Sequence, residues 1–191
     1  MQAAPEILTI GHSTHPIEHF LRLLTGARVA TVADVRRFPG SRRNPQFGAA
    51  ALADSLVAAS ITYESFGEQL GGRRRAPKPT EKASPPEPGP DNSAWRNPSF
   101  RAYADYMNES SFQAGLERLE ELGRQRRTAI MCAEGHPSRC HRQLIADVLL
   151  ARGWTVLHLL GDGKITKHAL SAHAATADGR VFYPGPAKLD I

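Results

Sequence analysis

The sequence predicts an α/β fold: a single domain with a mostly parallel β-sheet and helices on both faces, a Rossmann-like three-layer sandwich. Three observations predict it. Short apolar runs alternate along the chain with longer segments of helical periodicity. Polar residues with chemistry to offer recur just past the carboxyl ends of those runs, the edge of a parallel sheet where ligands bind. A chain of 191 residues with 41% hydrophobic content can also bury one sizeable core.

Each element follows from local signals. Ile7–Ile10 reads as a buried strand ending at Gly11-His12-Ser13. Pro16 opens a helix with Phe20, Leu23 and Leu24 on one face, and Gly26 breaks it. Val29–Val35 is a second strand, running into Asp34-Val35-Arg36-Arg37. A helix over residues 48–60 carries Leu52, Leu56 and Val57, and Ile61–Glu64 is a short strand. Prolines at 77, 79, 85, 86, 88, 90 and 98 forbid regular structure, so residues 73–98 read as a proline-rich loop or insertion within the 1–191 domain. Helices follow over Phe100–Met107 and on to Arg126. Thr128–Met131 is the next strand, Ser138 looks like the N-cap of a helix carrying Leu144, Ile145 and Val148, and Trp154–Leu160 is the last strand.

The formal charge is +5, with arginine pairs at 36–37, 42–43 and 126–127 and a triplet at 73–75. Such a balance suits an anionic partner, a nucleotide or nucleic acid, against the plainer reading of arginine-solvated surfaces. No apolar run reaches the length of a membrane span, and the N-terminus lacks a signal-peptide pattern, so a soluble cytoplasmic protein is expected. Two cysteines do not make a disulfide framework.

Both cysteines fall in Met131-Cys132-Ala133-Glu134-Gly135-His136-Pro137-Ser138-Arg139-Cys140-His141-Arg142, read as strand, tight loop, helix. Cys140 and His141 would occupy a first helical turn, where the dipole favours a thiolate. Cys132 is a candidate nucleophile or a small buried side chain. Glu134, as a partly buried carboxylate, is suited to acid–base work. His141 shares a helical face with Leu144 and Ile145, so a packing role weighs as much as a chemical one; His12 and His158 are equally ambiguous. In the loop after the second strand, Arg36, Arg37, Ser41 and Arg42 suit bidentate anion binding, with Asp34 orienting Arg36 or serving as a general base. Cys132, Cys140 and His141, with His12, could ligate a metal, but seven residues between the cysteines exceed zinc-knuckle spacing, and no cofactor is evident. Arg139 lies seven positions after Cys132 rather than the six of a phosphatase loop, and Gly11 lacks the following glycines of a dinucleotide fingerprint.

Together these pieces resemble a known family, the domain of unknown function numbered 488. The matching residues are Thr9-Ile10-Gly11-His12-Ser13, Asp34-Val35-Arg36 with Pro39, Ser41, Arg42 and Phe47, Leu70-Gly71-Gly72, Tyr103-Ala104-Asp105-Tyr106-Met107, Cys132-Ala133-Glu134 and Cys140-His141-Arg142. That family has no settled activity, so the resemblance implies a site rather than a mechanism. It strengthens Cys132, Glu134, Cys140, His141, Arg142, Asp34 and Arg36 as site residues.

The expectation is an enzyme, a hydrolase or group transferase, acting on a phosphate-bearing substrate such as a nucleotide or nucleic acid. Cys132, Glu134, Asp34 and His12 are the candidate catalytic residues. Ser13, Arg36, Arg37, Ser41, Arg42, Cys140, His141 and Arg142 are the candidate substrate-binding residues. The alternatives are a noncatalytic nucleic-acid-binding module and a Cys/His thiol-redox or metal-binding protein.

Overall fold

Five of the strands run parallel, and the central ones read as apolar runs because helices cover both of their faces. The computed structural model describes residues 4–40, 42–72, 74 and 91–185. Strands β1 (Glu6–Gly11), β2 (Thr31–Asp34), β3 (Thr62–Ser65), β4 (Thr128–Cys132) and β5 (Thr155–Leu159) are parallel, and β6 (Ile165–Lys167) runs antiparallel to β5 at one edge. The sheet order is β3-β2-β4-β1-β5-β6. The mostly parallel α/β architecture read from the sequence is therefore the one observed.

Strand alternation sorts the core into two layers. Leu8, Ile10, Val32, Ala129 and Met131 face helices α1 (Ile17–Gly26) and α2 (Ala49–Ala58), meeting Phe20, Leu24, Leu52 and Leu56. Ile7, Ala33, Ile130 and Cys132 face the opposite layer, built from α4 (Pro98–Tyr106), α5 (Ser110–Gln125) and α6 (Arg142–Ala151). The short helix α3 (Gly67–Leu70) follows β3 and contributes Leu70 to that second layer.

Connectivity places the site. From β1 the chain leaves through α1 on one face, whereas from the neighbouring β4 it leaves through α6 on the other. Loops diverging from adjacent strands open a crevice at their carboxyl ends. The two loops are tied at its floor: His12 N–H donates to Cys132 O (3.0 Å) and Ser13 N–H to Ala133 O (2.9 Å). Gly11 permits this approach, since a Cβ there would lie 1.9 Å from Glu134 O.

Several local expectations need correction. The helix after β4 begins at Arg142, not at Ser138. Pro137–Arg139 forms a separate 3-10 turn capped by His136, whose side chain accepts from Ser138 N–H, so Cys140 and His141 precede the helix. Trp154–Leu160 is not the last strand; β6 and the hairpin of β7 (Ala175–Ala177) and β8 (Arg180–Phe182) follow it. Each has only three residues; β6 and β7 are largely exposed and β8 buries only Val181, so no apolar run announces them. Of the 73–98 segment, residues 73 and 75–90 lie outside the described residues, but its tail is anchored. Asn92 is buried, donates to Asp105 Oδ1 (2.8 Å) and accepts from Tyr183 N–H (3.0 Å). No helix among the described residues is long and apolar enough to cross a membrane.

Candidate functional site

The crevice widens into a cavity of about 590 Å³ at the carboxyl edge of the sheet. The loop after β1 supplies His12, Ser13 and Thr14, and the loop after β2 supplies Arg36, Arg37 and Phe38. The loop after β4 supplies Cys132, Glu134, Arg139, Cys140 and His141, while Tyr103 from α4 and Gly72 close the far side.

At its base two sulfurs converge on one imidazole nitrogen. His141 Nδ1 lies 3.6 Å from Cys140 Sγ and 3.9 Å from Cys132 Sγ. The other ring nitrogen, Nε2, is 3.1 Å from Val35 O. A carbonyl can only accept, so Nε2 carries the proton of the neutral ring and Nδ1 turns its lone pair to the sulfurs. Both cysteines are buried free thiols. The Cys132 thiol donates to Cys140, which with burial pushes Cys132 well above the ordinary thiol range. The same hydrogen bond, with the Arg142 guanidinium nearby, holds Cys140 well below it.

Arg142 lies beneath this pair rather than in the cavity wall. It is 1% exposed, donates through Nη2 to Glu134 O and through Nη1 to Thr9 Oγ1 (3.4 Å), and ion-pairs with no carboxylate among the described residues. The expected phosphate contact is therefore replaced by an electrostatic one: a buried cation favouring a thiolate above it.

A second arrangement joins β2 to the loop after β1. Asp34 accepts from Arg36 Nε (2.9 Å) and Nη2 (2.6 Å), from the Arg36 backbone N–H (3.0 Å) and from Tyr63 OH (2.8 Å). Of the two roles weighed for Asp34, orienting Arg36 is the one its hydrogen bonds serve. Arg36 Nη1 donates to Phe47 O (2.7 Å) and to His12 Nε2 (3.2 Å), and His12 Nδ1–H donates to Ser13 O (2.8 Å). Burial, reinforced by Arg36, lowers His12 to about 4, so the ring stays neutral and stacks on Phe47 at 4.2 Å.

The remaining expected residues divide. Arg37 and Ser13 line the cavity, Arg42 is exposed and does not, and Ser41 lies outside the described residues. Glu134 reaches the cavity but is exposed, not partly buried; its backbone carbonyl, rather than its carboxylate, makes the buried contact. Glu64, near the carboxyl end of β3 but outside the candidate set, pairs with Arg118 (2.5 Å) away from the cavity. His158 is buried within β5, bonded to Thr9 Oγ1 (2.7 Å) and His168 Nδ1 (3.0 Å), and His168 in turn meets Asp147 Oδ1 (3.0 Å).

A family model described as Domain of unknown function DUF488 matches residues 16–149 of the chain. The chain belongs to this family. Among curated proteins and solved structures, none matches it. The DUF488 match spans Asp34, Arg36, Gly72, Cys132, Glu134, Cys140, His141 and Arg142, while Thr9–Ser13 precedes it.

Within this DUF488 chain, sequence reasoning missed the roles of Gly72 and Arg139. A Cβ at Gly72 would lie 2.8 Å from His141 Nδ1, so glycine keeps the space beside the lone pair clear. The Leu70-Gly71-Gly72 motif was the available signal. Arg139 was read against a phosphatase loop, yet it stands exposed on the cavity wall within the loop that carries the two thiols.

Proposed function

We infer that this DUF488 chain is an enzyme, a hydrolase or group transferase, whose substrate carries a phosphate and is of nucleotide size: a nucleotide or an accessible nucleic-acid end. One observation carries the reading: a Cys132–Cys140–His141 cluster opens onto a cavity flanked by two exposed arginines, Arg37 and Arg139. A volume of about 590 Å³ falls in the range of small-molecule sites. Asp34 neutralises Arg36, so Arg37 and Arg139 face the single wall carboxylate among the described residues, Glu134, and leave the wall net positive. Bidentate guanidinium groups suit phosphate oxygens. Glu134, at the rim, is placed to take or give a proton, and the sulfur–imidazole cluster is the reactive centre. Adjacent free thiols persist where the medium is reducing, which favours the cytoplasm.

The test is turnover of a panel of nucleotides, phosphate mono- and diesters and short oligonucleotides, by wild type and by His141→Ala and Glu134→Gln. Turnover that both variants lower at least about a hundredfold supports the reading. No turnover of any member, with tight oligonucleotide binding that falls steeply with salt, would replace it with a nucleic-acid-binding module.

A further inference from the structure

We propose that Cys132, Cys140 and His141 together bind a divalent zinc-class ion at the base of the cavity. Binding rests on these three side chains alone, while any use of the ion in turnover rests on the phosphate-substrate reading. The donor atoms lie within 4.8 Å of one another. Tetrahedral zinc with its usual Zn–S and Zn–N lengths separates a sulfur from a nitrogen ligand by about 3.6 Å. The two sulfur–Nδ1 separations here are 3.6 and 3.9 Å.

Nδ1 has one lone pair, with sulfurs 3.6 and 3.9 Å away, and a single ion between the three would engage that lone pair and both sulfurs at once. The Nε2–H bond to Val35 O is the outer contact that metal-bound histidines make, fixing the tautomer that frees Nδ1. Gly72 leaves the space beside that nitrogen clear.

The donor set also indicates the ion. Two sulfurs and an imidazole suit zinc and its soft or borderline neighbours, not magnesium or calcium. His12 is excluded as a ligand because Arg36 and Ser13 take its two nitrogens. Three protein ligands lining an open cavity match catalytic zinc sites, which keep a position for water or substrate, rather than closed four-ligand structural sites. Buried Arg142 adds a positive charge, so two thiolates, a dication and Arg142 leave one positive charge in excess. An anionic substrate oxygen cancels it.

The experiment is titration of the full-length, reduced, chelator-treated chain with cobalt(II), followed by competition with zinc. Expected are stoichiometric tetrahedral d–d bands with a thiolate-to-cobalt charge-transfer band, both displaced by zinc. Loss of an outer contact alone costs about 10–100-fold in affinity, so Cys132→Ser, Cys140→Ser and His141→Ala should each weaken binding at least tenfold. Zinc should also slow alkylation of both cysteines in the unmutated chain, a readout independent of variant folding. Absence of charge transfer, unchanged affinity in the variants, or oxidation to a Cys132–Cys140 disulfide without metal uptake would overturn the site. Turnover of the phosphate panel that survives chelation would remove the ion's role in catalysis and leave the enzyme reading intact. Metal binding without turnover would do the reverse.

Discussion

The Nε2 of His141 lies 3.1 Å from the carbonyl oxygen of Val35, a residue 106 positions earlier in the chain. Val35 is itself fixed, because its N–H donates to Met131 O (3.0 Å) as the β2–β4 ladder ends. Sheet pairing therefore aims an imidazole that stands outside any strand. The tautomer of His141, and with it the direction of its lone pair, is inherited from the register of two parallel strands.

Gly72→Ala tests that aim without touching a ligand. A Cβ 2.8 Å from Nδ1 must push the ring aside. Cobalt affinity and turnover are expected to fall at least about tenfold, as for loss of an outer contact, with the midpoint of urea unfolding changing much less. Unchanged affinity would mean that the ring is not held where the structure places it.

Asp34→Ala removes the counter-charge of a buried guanidinium. Asp34 and Arg36 are 1% and 7% exposed. Breaking such a pair from one side costs about 3–5 kcal/mol, read as urea unfolding. Glu121→Ala, which breaks an exposed pair with Arg124 (3.7 Å), should cost less than about 1 kcal/mol. Equal effects of the two variants would contradict the assigned burial.

Acid should weaken the fold through its neutral histidines. Burial lowers both His12 and His158 to about 4 from 6.5. Between those values the unfolded chain binds protons that the folded chain refuses, so stability falls as pH drops from 6.5 towards 4. The slope approaches about 1.4 kcal/mol per pH unit for each histidine. Urea unfolding between pH 6.5 and 5, above most carboxylate titration, measures it, and His158→Gln should flatten the slope. Stability that holds constant or rises on acidification over that window would contradict the assignment.

Much of this fold was legible because its signals are local. Leu8 and Ile10, Phe20 and Leu24, and Leu52 and Leu56 repeat at strand or helix period, and they face the layers their periods imply. The site was half legible. Its loops could be placed at the carboxyl edge, but the distances within it could not. Seven residues between the cysteines looked too wide for a shared centre, yet the 3-10 turn of Pro137–Arg139 folds the loop back and returns Cys140 to Cys132. Arg142 reads in sequence as a residue that holds the substrate's phosphate. Only the approach of Thr9 and the Glu134 carbonyl, made close by Gly11, shows it buried.

Arg37 and Arg139 are expected to act on substrate binding alone. Each exposed arginine replaced by alanine should raise KM about tenfold with kcat nearly unchanged, and the KM of wild type should rise with salt. Steady-state kinetics on whichever phosphate substrate turns over provides the check. A fall in kcat with KM unaltered would move these residues from holding the substrate to the chemical step.

The most direct measurement of the centre is the zinc K-edge absorption spectrum of the zinc-loaded chain. Two thiolates and an imidazole predict two sulfur scatterers at about 2.3 Å with nitrogen or oxygen at about 2.0–2.1 Å. A first shell of oxygen and nitrogen without sulfur would contradict the convergence of Cys132, Cys140 and His141 on one ion.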